Sequence, residues 1–120
     1  MITRRLVVSV LLAATLLSAA PAIAGMPDPG NLVAYRGQNG QQFTFTVTGY
    51  ALGYVWGNRV YTDDSSLASA AVHDGLLGIG ETGDVTVEIL PGQDSYDNSM
   101  RNGIATMDYG PSPGAFRFVH

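Results

Sequence analysis

Strict alternation of apolar and polar residues first appears at Gln42. There Gln-Phe-Thr-Phe-Thr-Val-Thr sets Phe43, Phe45 and Val47 on one face and three threonines on the other. A period of two is the mark of a half-buried strand, and aromatic and β-branched side chains suit its pleated surface. The same period returns from Asp84 to Leu90, where Val85, Val87 and Ile89 face together and Pro91-Gly92 ends the run. It returns once more near the C-terminus, where Phe116 and Phe118 flank Arg117. Shorter extended pieces are expected at Val55-Trp56, at Arg59 to Tyr61 and at Ile104 to Tyr109.

One stretch breaks that rhythm. From Leu67 to about Leu77 the apolar positions follow a helical period, with Leu67, Ala70 and Ala71 on one stripe and Ala68, Val72 and Leu76 on another. Asp63-Asp64-Ser65-Ser66 supplies capping oxygens at its start, and Gly75 or Gly78 suits its stop. A helix that is apolar on most sides is buried on most sides, and its alanines allow strands to come close. The pattern therefore predicts an α+β domain with one central α-helix enclosed by antiparallel β-sheets. Residues 40–120 make up that domain, and residues 25–39, with Pro27 and Pro29, read as a short flexible leader.

The first 24 residues follow a different logic. Arg4 and Arg5 precede a charge-free apolar run from Leu6 to Leu17, and the triplet Ala22-Ile23-Ala24 offers a cleavage site, so residues 1–24 are expected to be a signal peptide. Ser18 and Pro21 cut the run short of the ~20 apolar residues a membrane span needs. The twin-arginine start lacks the rest of that export motif, so the general secretory route is favoured. The expected location of the working chain is therefore the periplasm or the exterior.

Charge narrows the partners. Beyond residue 24, four arginines (Arg36, Arg59, Arg101 and Arg117) stand against ten carboxylates, a net charge of −6 for residues 25–120, with no lysine in the chain. Nucleic acid is not an expected partner, because no basic stripe exists to neutralise a row of phosphates. The absence of cysteine excludes disulfides, thiolate metal sites and cysteine nucleophiles. No pattern in the chain sets the oligomeric state, and the domain is treated as a monomer.

Candidate chemistry is sparse. His73 sits on the predicted helix, where it could act as a base or ligand but fits a hydrogen-bonded structural role better. Asp63, Asp64, Asp94 and Asp97 could offer carboxylates to a metal, but none follows the EF-hand spacing, so no metal or other cofactor is expected. No Gly-x-Ser-x-Gly elbow and no Gly-Lys-Ser/Thr phosphate loop is present. Trp56 and the tyrosines Tyr50, Tyr54, Tyr61, Tyr96 and Tyr109 form an aromatic-rich set suited either to the core or to stacking on sugar rings. The loop from Gln93 to Gly103 joins Tyr96, Arg101 and Asn102, which could stack, pair with an anion and hydrogen-bond. Within that loop Arg101 could equally pair with Asp94 or Asp97.

The segment from Val55 to Gly75 contains Trp56-Gly57, Tyr61-Thr62-Asp63-Asp64-Ser65-Ser66 and Ala70-Ala71-Val72-His73-Asp74-Gly75. With Gly83 to Val87, Pro91-Gly92, Tyr96-x-x-Ser99-x-Arg101-Asn102-Gly103-Ile104 and the strand at Phe116 and Phe118, it resembles the LCCL domain family. The likeness runs in one order over roughly residues 40–119. It implies that family's fold, a central helix wrapped by β-sheet. Where animal members carry a helix cysteine this chain has Ala68, so the core has to hold without the disulfide. It also implies a non-catalytic binding module whose ligand is an extracellular glycan, lipopolysaccharide or other lipid, or an envelope protein, with Tyr96, Arg101, Asn102 and Trp56 as expected ligand-binding residues. Two other readings are a small envelope hydrolase using carboxylates or His73, and a structural or assembly domain of the envelope.

Overall fold

The computed structural model describes residues 25–120, and the expected signal segment lies outside the described residues. In chain order the elements are β1 (Met26–Pro27), β2 (Gln42–Thr48), β3 (Gly57–Asn58), β4 (Val60–Thr62), α1 (Leu67–His73), β5 (Thr82–Pro91), β6 (Met100–Arg101), β7 (Ile104–Ala105) and β8 (Gly114–Phe118). Among the described residues, eight strands around one α-helix make an α+β fold, as the periodicity predicts. Six strands form one sheet in the order β1-β2-β5-β8-β4-β3, and β6 and β7 pair by themselves. Every pairing is antiparallel except β1 with β2.

Register follows from the alternation. Phe45 lies opposite Val85 and Phe43 opposite Val87, while Phe116 on β8 faces Ile89 on one side and Tyr61 on the other. One face of the sheet thereby gathers Phe45, Val47, Val85, Val87, Ile89, Phe116 and Phe118, all buried together with Leu67, Ala70 and Ala71 of the helix. On β2 and β5 the opposite face carries threonines in cross-strand hydroxyl pairs, Thr44 with Thr86 at 2.8 Å and Thr48 with Thr82 at 2.7 Å.

The helix is central, as its apolar sides require. Six of its seven residues are buried, and Ala68 alone is half-buried. Ser66 caps its start by accepting a hydrogen bond from the Ser69 amide. Its stop falls at Gly75, the first of the two glycines expected to end it, short of the apolar run to Leu77. Gly75 takes a left-handed φ of 87°, its amide bonds to the Val72 carbonyl, and the Leu76 amide bonds to the Ala71 carbonyl. That pair of bonds is a Schellman stop, so Leu76 and Leu77 leave the helix although both still pack against the core.

Residues 25–39 are built into the domain, unlike the flexible leader expected of them. Met26 and Pro27 pair with Phe45 and Thr46, Leu32 is fully buried, and a short 3-10 turn spans Val33–Tyr35. Arg36 then reaches Asp63, with Nε 2.7 Å from Oδ2 and Nη2 2.8 Å from Oδ1. This bidentate pair neutralises a carboxylate that is almost fully buried. Gly114 runs so close to it that a Cβ there would overlap Asp63 Oδ2.

Candidate functional site

Two features stand out, one buried and one at the surface. The first is a polar hub at the C-terminal end of α1. His73 is fully buried, and its Nδ1 lies 2.9 Å from the Tyr61 hydroxyl, which is also 3.3 Å from Asp74 Oδ1. Arg101 Nη1 approaches the same Oδ1 at 3.4 Å, and His120 Nε2 lies 2.7 Å from Oδ2. Burial, followed by the Asp74 charge, pushes the Tyr61 phenol well above the ordinary tyrosine range. The single Tyr61 proton can serve His73 or Asp74 but not both, and with either His73 tautomer Nε2 has no hydrogen-bond partner among the described residues.

This geometry sets an acid sensitivity. Burial, then the nearby Arg101 charge, lowers the pKa of His73, against a weaker opposing pull from the Asp74 charge. Above the ordinary histidine value of 6.5 both folded and unfolded chains hold His73 neutral, so it adds no pH dependence there. Below that value the unfolded chain takes up a proton that the folded one resists, and stability falls as pH falls toward the lowered pKa. Denaturant unfolding at a series of pH values should show this decline, and His73→Phe should flatten it. An equal slope in the variant would clear His73 of the effect.

The second feature is a row of exposed rings. Tyr54 is 72% exposed and Tyr109 47%, and the half-buried Trp56 stands between them, with ring centroids 6.3 Å from Tyr54 and 6.1 Å from Tyr109. The row is held from below. The Trp56 amide donates to Ser65 Oγ at 3.0 Å, and Trp56 bridges to Met107. Tyr109 exchanges both backbone hydrogen bonds with Tyr96. The loop before α1 is tied to the helix by Ser69, whose hydroxyl accepts from the Gly53 amide and donates to the Tyr50 carbonyl.

The four residues expected to bind ligand separate accordingly. Trp56 is in the exposed row. Tyr96 is buried at 4% exposure and its hydroxyl accepts the Gln93 amide, so it braces Tyr109 from below. Asn102 and Gly103, at φ 53° and 83°, form the two-residue turn between β6 and β7, and the Asn102 side chain donates to the His73 carbonyl at 2.9 Å. An Asn-Gly pair between extended pieces is the residue signal for such a turn. Arg101 pairs with Asp74, not with Asp94 or Asp97. Asp74 is the polar residue that sequence reasoning passed over, because a carboxylate just beyond a helix looks like a solvated cap. Of the four aspartates considered for metal, Asp63 is committed to Arg36, and among the described residues no three His, Asp or Glu side chains gather to hold a metal ion.

Among the described residues, a single buried helix against a mostly antiparallel six-stranded sheet, with exposed aromatics on its connecting loops, defines a small α+β domain. The chain belongs to the LCCL domain family, whose family model matches residues 30–116. It is 38% identical over 65 residues to human cysteine-rich secretory protein LCCL domain-containing 2, covering 52% of this chain and 13% of that protein. It is 46% identical over 50 residues to mouse cochlin, covering 42% of this chain and 9% of cochlin. The chain thus spans about a tenth of the length of these relatives. Among the described residues no helix is long and apolar enough to cross a membrane.

Proposed function

We propose that the protein is an exported, non-catalytic binding module that recognises an extracellular glycan through the Tyr54–Trp56–Tyr109 row. The observation that carries this reading is the row itself: three neighbouring aromatic rings, two of them well exposed, on loops tied to a rigid sheet and helix. Aromatic faces present flat apolar area at little entropic cost, and the C–H faces of sugar rings are their natural complement. The net charge of −6 makes an acidic polymer such as lipopolysaccharide a poorer partner for this surface than a neutral saccharide. Export is supported by the segment before Gly25 and by the word secretory in the name of the human relative. The hydrolase reading finds less support, since His73 has no solvent contact through which to meet a substrate.

A glycan array with the purified protein tests the proposal, with lipopolysaccharide and envelope protein extract as parallel arms. Neutral oligosaccharides should bind. Trp56→Ala and Tyr54→Ala should each weaken that binding by roughly tenfold, about 1.4 kcal/mol, the scale of one aromatic contact. The melting temperature of Tyr54→Ala should stay unchanged, because that ring is mostly in solvent. Retention only of lipopolysaccharide or protein, or full affinity in both variants, would reject the glycan site.

A further inference from the structure

Beside the end of α1 a cavity of about 150 Å³ is lined by Arg59, Val60, Asp74, Arg117, Phe118 and His120. It draws on a scarce resource. Of the four arginines in residues 25–120, two line this cavity and a third, Arg101, holds its Asp74. The Asp74 carboxylate that could repel an anion is already engaged, with Oδ1 facing Tyr61 and Arg101 and Oδ2 facing His120, and its side chain is only 2% exposed. Arg117 is anchored to Glu88 through Nη2 alone, which leaves the other N–H donors of its guanidinium uncommitted. Among the side chains, Asp74 and Glu88 stand against Arg59, Arg101 and Arg117, a locally cationic set in a domain of net −6.

Arg59 is the telling residue. Among the described residues its side chain has no ion pair and no hydrogen bond, and its backbone sits at φ 71°, in the left-handed region where glycine or asparagine is more at ease. A long cationic side chain placed there adds backbone strain and takes part in no internal ion pair. The side chain is exposed to solvent, so its donors are free to meet a partner from outside. A cavity of that volume has room for one oxyanion group and some of its water. Val60 and Phe118 form apolar walls that strengthen charge-assisted hydrogen bonds inside it.

We propose that this cavity is an anion subsite that takes one compact oxyanion group, a phosphate, sulfate or carboxylate, between the guanidiniums of Arg59 and Arg117. It stands on residues outside the aromatic row and does not depend on the glycan reading.

The test titrates the purified protein, at constant ionic strength, with inorganic phosphate, sulfate, acetate, glucose 1-phosphate and glucose, following the amide signals of Val60 and Phe118 by NMR. Saturable shifts with the anions and none with glucose are expected. Tighter binding of glucose 1-phosphate than of inorganic phosphate would assign the anion to a sugar ligand, and equal binding would assign it to a free ion. Arg59→Gly should raise the dissociation constant by about tenfold or more, the loss expected for one charge-assisted hydrogen-bonding partner, while the melting temperature holds or rises as the strained turn relaxes. Arg59→Lys should fall between the two. Failure of every anion to saturate, unchanged affinity in Arg59→Gly, or a lower melting temperature in that variant would each overturn the proposal.

Discussion

Replacing Val72 by aspartate should leave the domain unable to fold. Val72 is 2% exposed on a helix whose residues are buried on nearly every side, so the new carboxylate would enter a site built for a small apolar side chain. Val72 packs close to Gly49, and no arginine among the described residues is hydrogen-bonded or ion-paired at that position to meet the charge. An unpaired buried charge costs several kcal/mol even after relaxation, against a total stability of roughly 5–15 kcal/mol for a domain of this kind. Circular dichroism and thermal unfolding check this. A variant that melts like the parent would show that α1 lies at the periphery.

Phe116→Ala should be the most damaging truncation in the sheet. Phe116 is fully buried on β8 between β4 and β5, with its ring 5.5 Å from those of both Tyr61 and Phe118. Removing it deletes the centre of that aromatic group and leaves a cavity that neighbours on regular strands can only partly fill. Truncations of this kind cost about 3–5 kcal/mol. In urea the midpoint should drop sharply with an unchanged slope, because the native fold persists and the same surface is exposed on unfolding. A loss below about 1 kcal/mol would mean that the site collapses around the gap and that packing there is looser than the ring distances indicate.

Local pattern and long-range contact explain what could be read from the chain. The strand at Gln42–Thr48 and the end of β8 at Phe116 and Phe118 were legible because alternation sorts side chains to two faces whatever lies next to them. The helix start was legible because Ser66 caps through a residue three positions on. Its end was legible only as a choice between Gly75 and Gly78, because Leu76 and Leu77 keep an apolar rhythm while the backbone has already turned at Gly75. A two-residue strand such as β1 has no period to detect, and the single buried Leu32 carries no pattern. The ion pairs were invisible for the same reason: Arg36 finds Asp63 and Arg101 finds Asp74, each 27 positions away, whereas sequence proximity suggested Asp94 or Asp97 for Arg101. Among the aromatics, composition could not tell that Tyr96 is buried while Tyr54 and Tyr109 are in solvent. That division depends on which side of the Tyr96–Tyr109 bridge faces the interior.

The six-stranded sheet ends on both sides in strands of only two residues, β1 and β3. Open strand edges are templates on which other chains add, the usual route to polymerisation and fibre growth. Here β1 covers the middle of β2 at Phe45 and Thr46, and its Pro27 has no amide proton to offer a further strand. A foreign strand approaching from that side finds no uninterrupted row of donors and acceptors. On the far side β3 exposes a ladder too short to hold one. A domain without cysteines thus carries in the shortness of its outer strands a defence against self-association.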